Sequence, residues 1–297
     1  ATSGGINITN STTALTIDDF ASVGSGFGIN NQSTTATDGV TIINNNSISL
    51  PGTSGNGISA AGPITVTANG VLSNISTGGG TTMTGFTTSD TINLTAGQHI
   101  TLGSGGGYAD MDAGVDIIVT AGGNVSVGSD TIFSAGNLAD INAGGNFELI
   151  NTASISAGAT VDITTSNGTI TVNVSDVGSV ISAPSVSLTT NTTGAAADIT
   201  LTDGDVSTTT LVMDAADGIS QTASIITANG TTSLTANVAN DISLTNAAND
   251  FGGAVTVTAA NDVFIDDADD ISFGAVTTSG GGNLIVDAGG AVDFTGV

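Results

Sequence analysis

Hydrophobic residues recur at a constant 21-residue step through the last third of the chain, as Ile242, Val263 and Leu284 do. Around them apolar and polar residues alternate, as in "ISL" at 242–244, which is typical of a β-strand that buries one face. A repeat of strands and turns with this period indicates a solenoid, because one coil cannot bury its own apolar residues and stacked coils can. The other series with the same step are Leu244, Ile265 and Val286; Leu234, Val255, Val276 and Val297; and Phe273 with Phe294.

The repeat is less regular upstream. "GGN" occurs at 122–124 and 144–146, and the step between the residues that follow the two copies, Val125 and Phe147, is 22. The step from Ile117 to Ile141 is 24. We therefore predict about 21–24 residues per coil and roughly 14 coils. A β-sandwich is the alternative, but it gives no reason for matched residues at a constant step.

Composition favours strands over helices. The chain has no Lys or Arg, and Glu148 is its only glutamate, so a helical surface has little to be built from. Thr, Val and Ile favour strands, while Gly, Asn and Asp favour the turns between them. We predict an all-β parallel β-helix that runs as one continuous solenoid over 1–297. A soft internal seam is expected at 76–85, in "STGGGTTMTG".

The formal net charge of −26 restricts the possible partners. Neutralising phosphates requires Lys or Arg, so the sequence predicts no nucleic-acid partner, and docking on anionic lipid is disfavoured. No long uninterrupted apolar run is present, so we also predict no membrane insertion. The counter-charges are expected to be metal ions, cations of the medium or a basic partner.

Clusters of aspartate are the candidate metal ligands, and Ca²⁺ is the possible cofactor because it prefers several hard oxygen ligands. The "GGGYADMDAGVD" stretch is a near miss to a calcium-binding Gly-Gly-x-Gly-x-Asp repeat. A solvated acidic face is the alternative for each cluster. The candidate ligands are Asp266, Asp267, Asp269 and Asp270 in "IDDADDIS", Asp203 and Asp205 in "DGD", and Asp110 and Asp112 in "GGGYADMDAGVD".

The 21-residue step also places aspartates next to one another on adjacent coils. Asp241 and Asp262 are one step apart, with Asn283 next, and Asp266 and Asp287 form a second pair. Equivalent positions on stacked strands lie only ~4.8 Å apart, so like charges there repel. No basic residue offsets the repulsion, and we predict that divalent cations or mild acid stabilise the chain.

Catalysis is not expected. A P-loop lacks its Lys, cysteine nucleophiles are absent, and a Ser–His–Asp triad would have to use His99, which stands at a strand start with no nucleophile-elbow motif nearby. A turn or solvent-facing histidine is the simpler interpretation. Paired carboxylates on a β-helix could serve a polysaccharide-acting enzyme. Such enzymes generally also use Arg or Lys, and aromatic platforms for sugars are almost absent here.

Several stretches resemble the repeats of known exported proteins. "GVTIINNNSIS" and "GNGISAAGPITVTANGVLSNIS" resemble passenger repeats of bacterial autotransporters, and "AGGNVSV", "AGGNFEL" and "NAANDFGGAVTVTAANDVFIDD" resemble those of filamentous-haemagglutinin-like exoproteins. The likeness covers most of the chain and lies in the general repeat pattern, without a specific site motif. It implies a right-handed parallel β-helix, a location outside the cell or on the bacterial surface, and a role in adhesion or biofilms.

These observations together predict a non-enzymatic extracellular β-solenoid, either structural or adhesive, of a bacterial surface protein or fibre. The alternatives are a Ca²⁺-dependent self-assembling filament or surface-layer subunit, and the polysaccharide-acting enzyme. The expected partners are further copies stacked head to tail, or further coils of the same parent chain. Surface glycans are a further possible partner.

Overall fold

Parallel β-strands joined by short turns make up the regular structure, and the described residues contain no helix. The predicted β-solenoid is therefore confirmed. No helix in the described part of the chain is long and apolar enough to cross a membrane. The computed structural model describes residues 4–17, 29–31, 33–50, 57–78, 85–104, 109–128, 130–175, 179–191, 197–279 and 281–294.

The chain divides into two compact units, one formed by residues 1–144 and 149–158 and the other by 145–148 and 159–297. Together they contain about 10 turns, so the expectation of roughly 14 is wrong. The reason is that many turns are longer than the 21-residue step: from Ile64 to its register partner Ile92 the step is 28. Residues 79–84 of the predicted seam lie outside the described residues.

Three strands form each complete turn of the first unit, as β6, β7 and β8 do. The strands before residue 145 are β1 (Ile6–Asn10), β2 (Leu15–Thr16), β3 (Ile29–Asn30), β4 (Val40–Asn44), β5 (Ile48–Leu50), β6 (Ile58–Ala60), β7 (Ile64–Ala68), β8 (Ile75–Gly78), β9 (Phe86–Thr88), β10 (Ile92–Ala96), β11 (Ile100–Ser104), β12 (Met111–Ala113), β13 (Asp116–Ala121), β14 (Val125–Val127), β15 (Ile132–Ala135) and β16 (Leu138–Ala143).

Longer strands occur in the second unit, where β21, β23 and β31 each run along two sides of a turn. The strands from residue 145 onward are β17 (Phe147–Asn151), β18 (Ser154–Ala157), β19 (Thr160–Thr165), β20 (Ile170–Val174), β21 (Ser179–Thr190), β22 (Ile199–Asp203), β23 (Asp205–Asp214), β24 (Ile219–Gln221), β25 (Ile226–Ala228), β26 (Thr232–Thr235), β27 (Ile242–Leu244), β28 (Asp250–Phe251), β29 (Ala254–Ala260), β30 (Val263–Asp267), β31 (Ile271–Thr278), β32 (Leu284–Ala288) and β33 (Val292–Asp293).

Equivalent strands of successive turns pair in parallel and form ladders along each unit. We call the ladder β2–β5–β8–β11–β14 of the first unit, and the ladder β20–β22–β24–β27–β30–β32 of the second, the third ladder of that unit. Parallel pairing requires a long return connection between neighbouring strands, and here the rest of each turn supplies it. Every turn thus presents one row of side chains inward and one outward.

The core consists of inward columns whose members come from successive turns. In the first unit Met111 pairs with Phe86 on one side and Phe133 on the other, and all three side chains are fully buried. Ile58 and Ile155 extend the column at its two ends. No turn has a core of its own, so neighbouring turns stabilise one another.

A column of glycines explains the repeated "GGN" sequence. Gly97, Gly122 and Gly144 occupy the same corner in three successive turns, and the amide N–H of each donates to an alanine carbonyl of the turn before. A Cβ at Gly122 would lie 2.3 Å from the carbonyl oxygen of Gly97, and one at Gly144 would lie 2.1 Å from that of Gly122. The backbone itself fills this corner, so only glycine fits there.

The inward series of the last third is confirmed for two of the predicted columns. Ile242, Val263 and Leu284 are register partners in β27, β30 and β32, as are Leu244, Ile265 and Val286. The rings of Phe273 and Phe294 stack with their centroids 5.2 Å apart. Val297 lies outside the described residues.

Three predicted pairings are wrong, namely Leu234 with Val255, Val255 with Val276, and Ile117 with Ile141. Leu234 pairs with Val257, not Val255, and Val257 then pairs with Val276. The two steps are 23 and 19, which average 21, so the sequence period conceals the shift. It arises because Leu234 precedes Ile242 by eight residues, whereas Val257 precedes Val263, the register partner of Ile242, by only six. Likewise, Ile117 pairs with Ala139, and not with Ile141.

We expect Val263→Asp to lower the free energy of unfolding by at least about 4 kcal/mol, because it places an unpaired charge in a fully buried column. Ser243→Asp, on the outward face of the adjacent strand, should cost less than about 1 kcal/mol. Urea unfolding followed by circular dichroism measures both. Equal losses for the two variants would contradict the assigned inward and outward faces.

Candidate functional site

Polar side chains at one corner of each turn bind the next turn. We call the residues that directly precede the strands of the third ladders, together with Asn146 before β17, the corner ladder. In the first unit the amide of Asn74 donates to Oγ of Ser47 (3.0 Å), and the amide of His99 donates to Oδ1 of Asn74 (3.0 Å). The amide of Asn124 then donates to Nδ1 of His99 (2.9 Å). Each side chain accepts from the next turn toward the C-terminus.

The second unit repeats this arrangement, with carboxylates as the main acceptors. The Thr169 amide donates to Oδ1 of Asn146 at 3.1 Å. Oδ1 of Asp241 accepts the amide of Asp262 at 3.0 Å, and Oδ1 of Asp262 accepts the amide of Asn283 at 2.7 Å. The predicted equivalence of Asp241, Asp262 and Asn283 is therefore confirmed. A hydrogen bond to a charged acceptor is stronger than a neutral one, so these aspartates hold adjacent turns in register.

His99 is a member of the corner ladder and has a structural contact on each side. Its amide and its ring bridge three turns, and the ring fills the space beside Gly123, where a Cβ would lie 2.8 Å from the imidazole. Because Nδ1 accepts the Asn124 amide, the proton of the neutral ring is on Nε2. The sequence predicted a turn or solvent-facing histidine. In the structure the His99 ring accepts a hydrogen bond from the next turn.

Three of the eight candidate metal ligands form contacts of the same kind at other corners. Oδ1 of Asp110 accepts the amide of Ile132 at 3.1 Å, and Oδ1 of Asp205 accepts that of Ile225 at 2.9 Å. Oδ1 of Asp270 accepts the amide of Ala291 at 2.6 Å. In each case the donor lies one turn further along the chain, so one oxygen of each carboxylate already has a structural partner.

Asp203 and Asp112 differ from this group. Asp203 accepts the amide of Gly204 at 2.9 Å, and this bond supports the left-handed backbone of Gly204, whose φ is 94°. Asp112 points outward from β12 and is exposed.

The aspartates of the Asp266–Asp270 cluster do not converge on one point, because their side chains lie on different faces. Asp266 points outward, and Asp267 points inward and is only 3% exposed. The two oxygens of Asp267 accept the amides of Phe251 (2.8 Å) and Asp269 (2.9 Å). Asp269 and Asp270 are exposed in the corner that follows. Sequence alternation could have separated these residues, since Asp267 has the same parity as the buried Ile265.

The pKa values of three carboxyl groups are raised above the ordinary value. Burial raises the pKa of Asp266, and the charge of its register partner Asp287 raises it further. Burial is also the main cause for Asp267 and Asp110, where hydrogen bonds from backbone amides partly offset it. The nearby charge of Asp130 adds to the rise at Asp110. These three groups bind protons more readily in the folded chain than in the unfolded chain.

The second unit contains a buried network of side-chain amides that the sequence did not predict. Nε2 of Gln221 donates to Oδ1 of Asn249 at 2.7 Å, and Nδ2 of Asn249 donates to Oε1 of Gln221 at 3.0 Å. Oδ1 of Asn249 also accepts the amide of Ile226. Both side chains are buried at an inner corner, where the reciprocal pair fixes the register of two turns. Neither residue stands out in sequence, because each resembles an ordinary turn residue.

Across the described residues, no group of three or more histidine, aspartate and glutamate side chains is placed to hold a metal ion. The candidate ligands are distributed among separate corners and faces, and most of them bind backbone amides. The arrangement is suited to holding turns together and to presenting a negatively charged outer surface.

The corner ladder predicts a specific stability pattern at His99. His99→Ala should lower the free energy of unfolding by about 1 kcal/mol, because the amide of Asn124 loses its acceptor. His99→Asn should recover most of that loss, since Asn74 performs the same role one turn earlier. Thermal unfolding of the two variants provides the measurement. Equal loss in both would show that the imidazole has some other role.

The raised pKa values predict a gain in stability in mild acid. The folded state binds more protons, so the free energy of unfolding increases as pH falls from 7 through the raised pKa values. The contribution levels off below the unfolded pKa of about 3.9. The melting temperature should therefore be higher at pH 5 than at pH 7, and Asp266→Asn should raise it at pH 7 and reduce its pH dependence. A melting temperature that falls between pH 7 and pH 5 would contradict this.

Comparison with known proteins yields one partial match. A family model described as "Repeats of unknown function (DUF5649)" matches residues 187–258, which lie wholly in the second unit. No curated protein and no solved structure matches the chain. The matched residues run from within β21 to within β29 and include the Gln221–Asn249 pair. The family match and the stacked turns agree that this chain is a repeat protein with a β-solenoid structure.

Proposed function

We propose that the chain is a non-enzymatic structural or adhesive β-solenoid of a bacterial surface protein or extracellular fibre. The observation that carries the proposal is the corner ladder, in which polar and acidic side chains are committed to contacts between turns. A chain built in this way gains stability with each added turn and presents a repeated outer surface. This suits a scaffold or a spacer.

The surface charge supports a location outside the cell. The chain has a net charge of −26 and no Lys or Arg, so His99 is its only basic side chain. High negative charge keeps such a protein soluble and prevents lateral association. Cations of the medium then supply the counter-charge. The absence of Cys means that folding does not depend on oxidation.

A Ca²⁺-dependent filament or surface-layer subunit is the second candidate, favoured by the register pairing of Asp266 with Asp287 on adjacent turns. Leu284 and Val286 of β32 face inward but are only half-buried, whereas their partners Val263 and Ile265 are fully buried. A further turn stacked on β32 would bury them, and it could come from a second copy or from the same parent chain. Ca²⁺ would screen the repulsion between aspartates of adjacent turns.

Protease treatment of intact cells of the native host tests the proposal. We expect antibodies to label the protein on unpermeabilised cells, and external protease to remove that label. Excess purified chain should compete with the cells for attachment to their substratum if the role is adhesive. Native fibres whose micrographs show stacked subunits would favour the filament. Label that appears only after permeabilisation would contradict both extracellular roles.

A further inference from the structure

The outer face of the third ladder changes character abruptly near its last two turns. In the second unit the outward column through the middle of these strands begins with the register partners Thr171, Thr200, Ser220 and Ser243. The next two members are Phe264 in β30 and Ile285 in β32. In the first unit the same column contains only hydroxyl residues, which are Thr16, Ser49, Ser76, Thr101 and Ser126.

The apolar pair lies outside the core. In β30 the buried residues are Val263, Ile265 and Asp267, so Phe264 lies on the outward face. Ile285 is 51% exposed. Stacking another turn on β32 would cover the inward side chains of that strand, but it would leave this outer face open. On this outer face Phe264 is half-buried and Ile285 is exposed.

Carboxylates flank the apolar pair. Asp266 follows Phe264 by two residues and Asp287 follows Ile285 by two, so all four side chains are outward and adjacent. On the other side, Asp262 lies in the corner directly before β30, where its Oδ1 accepts the amide of Asn283. Side chains two apart on a strand lie about 6.7 Å apart, and register partners lie ~4.8 Å apart. The result is a short apolar strip with Asp266 and Asp287 along one side and Asp262 and Asn283 at the corner on the other.

We propose that the strip formed by Phe264 and Ile285, together with Asp262, Asp266 and Asp287, binds a cationic amphipathic segment of another protein. An exposed apolar patch with a charged rim is typical of an interaction site. A basic segment would place an aliphatic or aromatic side chain on the strip and its Lys or Arg side chains against the carboxylates.

Charge excludes a second copy of this chain as the source of the segment, because the sequence contains no Lys or Arg. The partner must supply positive charge. Asp266 and Asp287 repel each other across adjacent turns, so a cationic side chain placed between them relieves an unfavourable interaction as well as forming a favourable one. Phosphate-bearing partners are repelled by the same carboxylates.

Binding of synthetic peptides by the full chain tests this site. The probes are an eight-residue peptide of alternating Lys and Leu, an eight-residue oligolysine, and a peptide of alternating Glu and Leu, each followed by fluorescence anisotropy at about 0.15 M salt. We expect the Lys/Leu peptide to bind at least about ten-fold more tightly than oligolysine, and the Glu/Leu peptide not to bind. Equal affinity for the Lys/Leu peptide and oligolysine would overturn the proposal, because it would indicate attraction to the general negative charge.

Matched variants locate the site. Phe264→Ser with Ile285→Ser restores the hydroxyl column and should abolish the preference for the Lys/Leu peptide, whereas Val71→Ser with Leu72→Ser removes an exposed apolar pair of the first unit and should not. Asp266→Asn with Asp287→Asn should weaken binding at least about five-fold. Asp112→Asn with Asp214→Asn removes the same charge from other exposed positions and should change affinity less than about two-fold. Equal effects of a site variant and its control would overturn the assignment.

Discussion

No single turn of this chain can bury its own apolar side chains, and the structure therefore depends on the contact between one turn and the next. Met111 is buried only because Phe86 and Phe133 cover it from the neighbouring turns. Parallel backbone pairing sets the spacing of the turns at ~4.8 Å, and the inward columns follow from it. The glycine column permits the close approach of neighbouring turns, and the side chains of the corner ladder accept hydrogen bonds from amides of the next turn.

The acidic composition follows from the same constraint. A carboxylate at a corner, such as that of Asp241, accepts an amide of the following turn with the strength of a charge-assisted bond. Repeating this device along the chain accumulates negative charge, and no basic residue compensates for it. Asp266 shows the resulting conflict, because its pKa is raised by burial and by the charge of Asp287. The aspartates that hold adjacent turns together therefore also make the surface negatively charged and attractive to cations.

The fold could be predicted because the sequence shows both of its periods, the two-residue alternation within strands and the 21-residue step between turns. Alternation within strands identified Val263 and Ile265 as inward, and the longer step placed them under Leu284 and Val286. The predicted register is wrong at Leu234, because corners of unequal length give steps of 23 and 19 residues whose average is still 21. A shift of two residues preserves the inward face, so no residue of the wrong polarity revealed the error.

The site was less predictable, since proximity in sequence does not mean proximity on a solenoid. Asp266 and Asp267 are adjacent in sequence but lie on opposite faces, so the predicted cluster does not converge. The 21-residue step, in contrast, correctly placed Asp266 beside Asp287. The strip of Phe264 and Ile285 could be recognised only once the outward column was known, because each residue alone resembles an ordinary strand residue.

Engineered cysteine pairs test the stacking register most directly, since the chain has no Cys. Ser233 and Thr256 are outward register partners, at a Cα separation that a disulfide can span. Ser233→Cys with Thr256→Cys should oxidise rapidly to an intramolecular disulfide. Ser233→Cys with Ala254→Cys, separated by the 21-residue period, should not. Preferential crosslinking of the second pair, or equal crosslinking of both, would contradict the turn-to-turn register on which this structure rests.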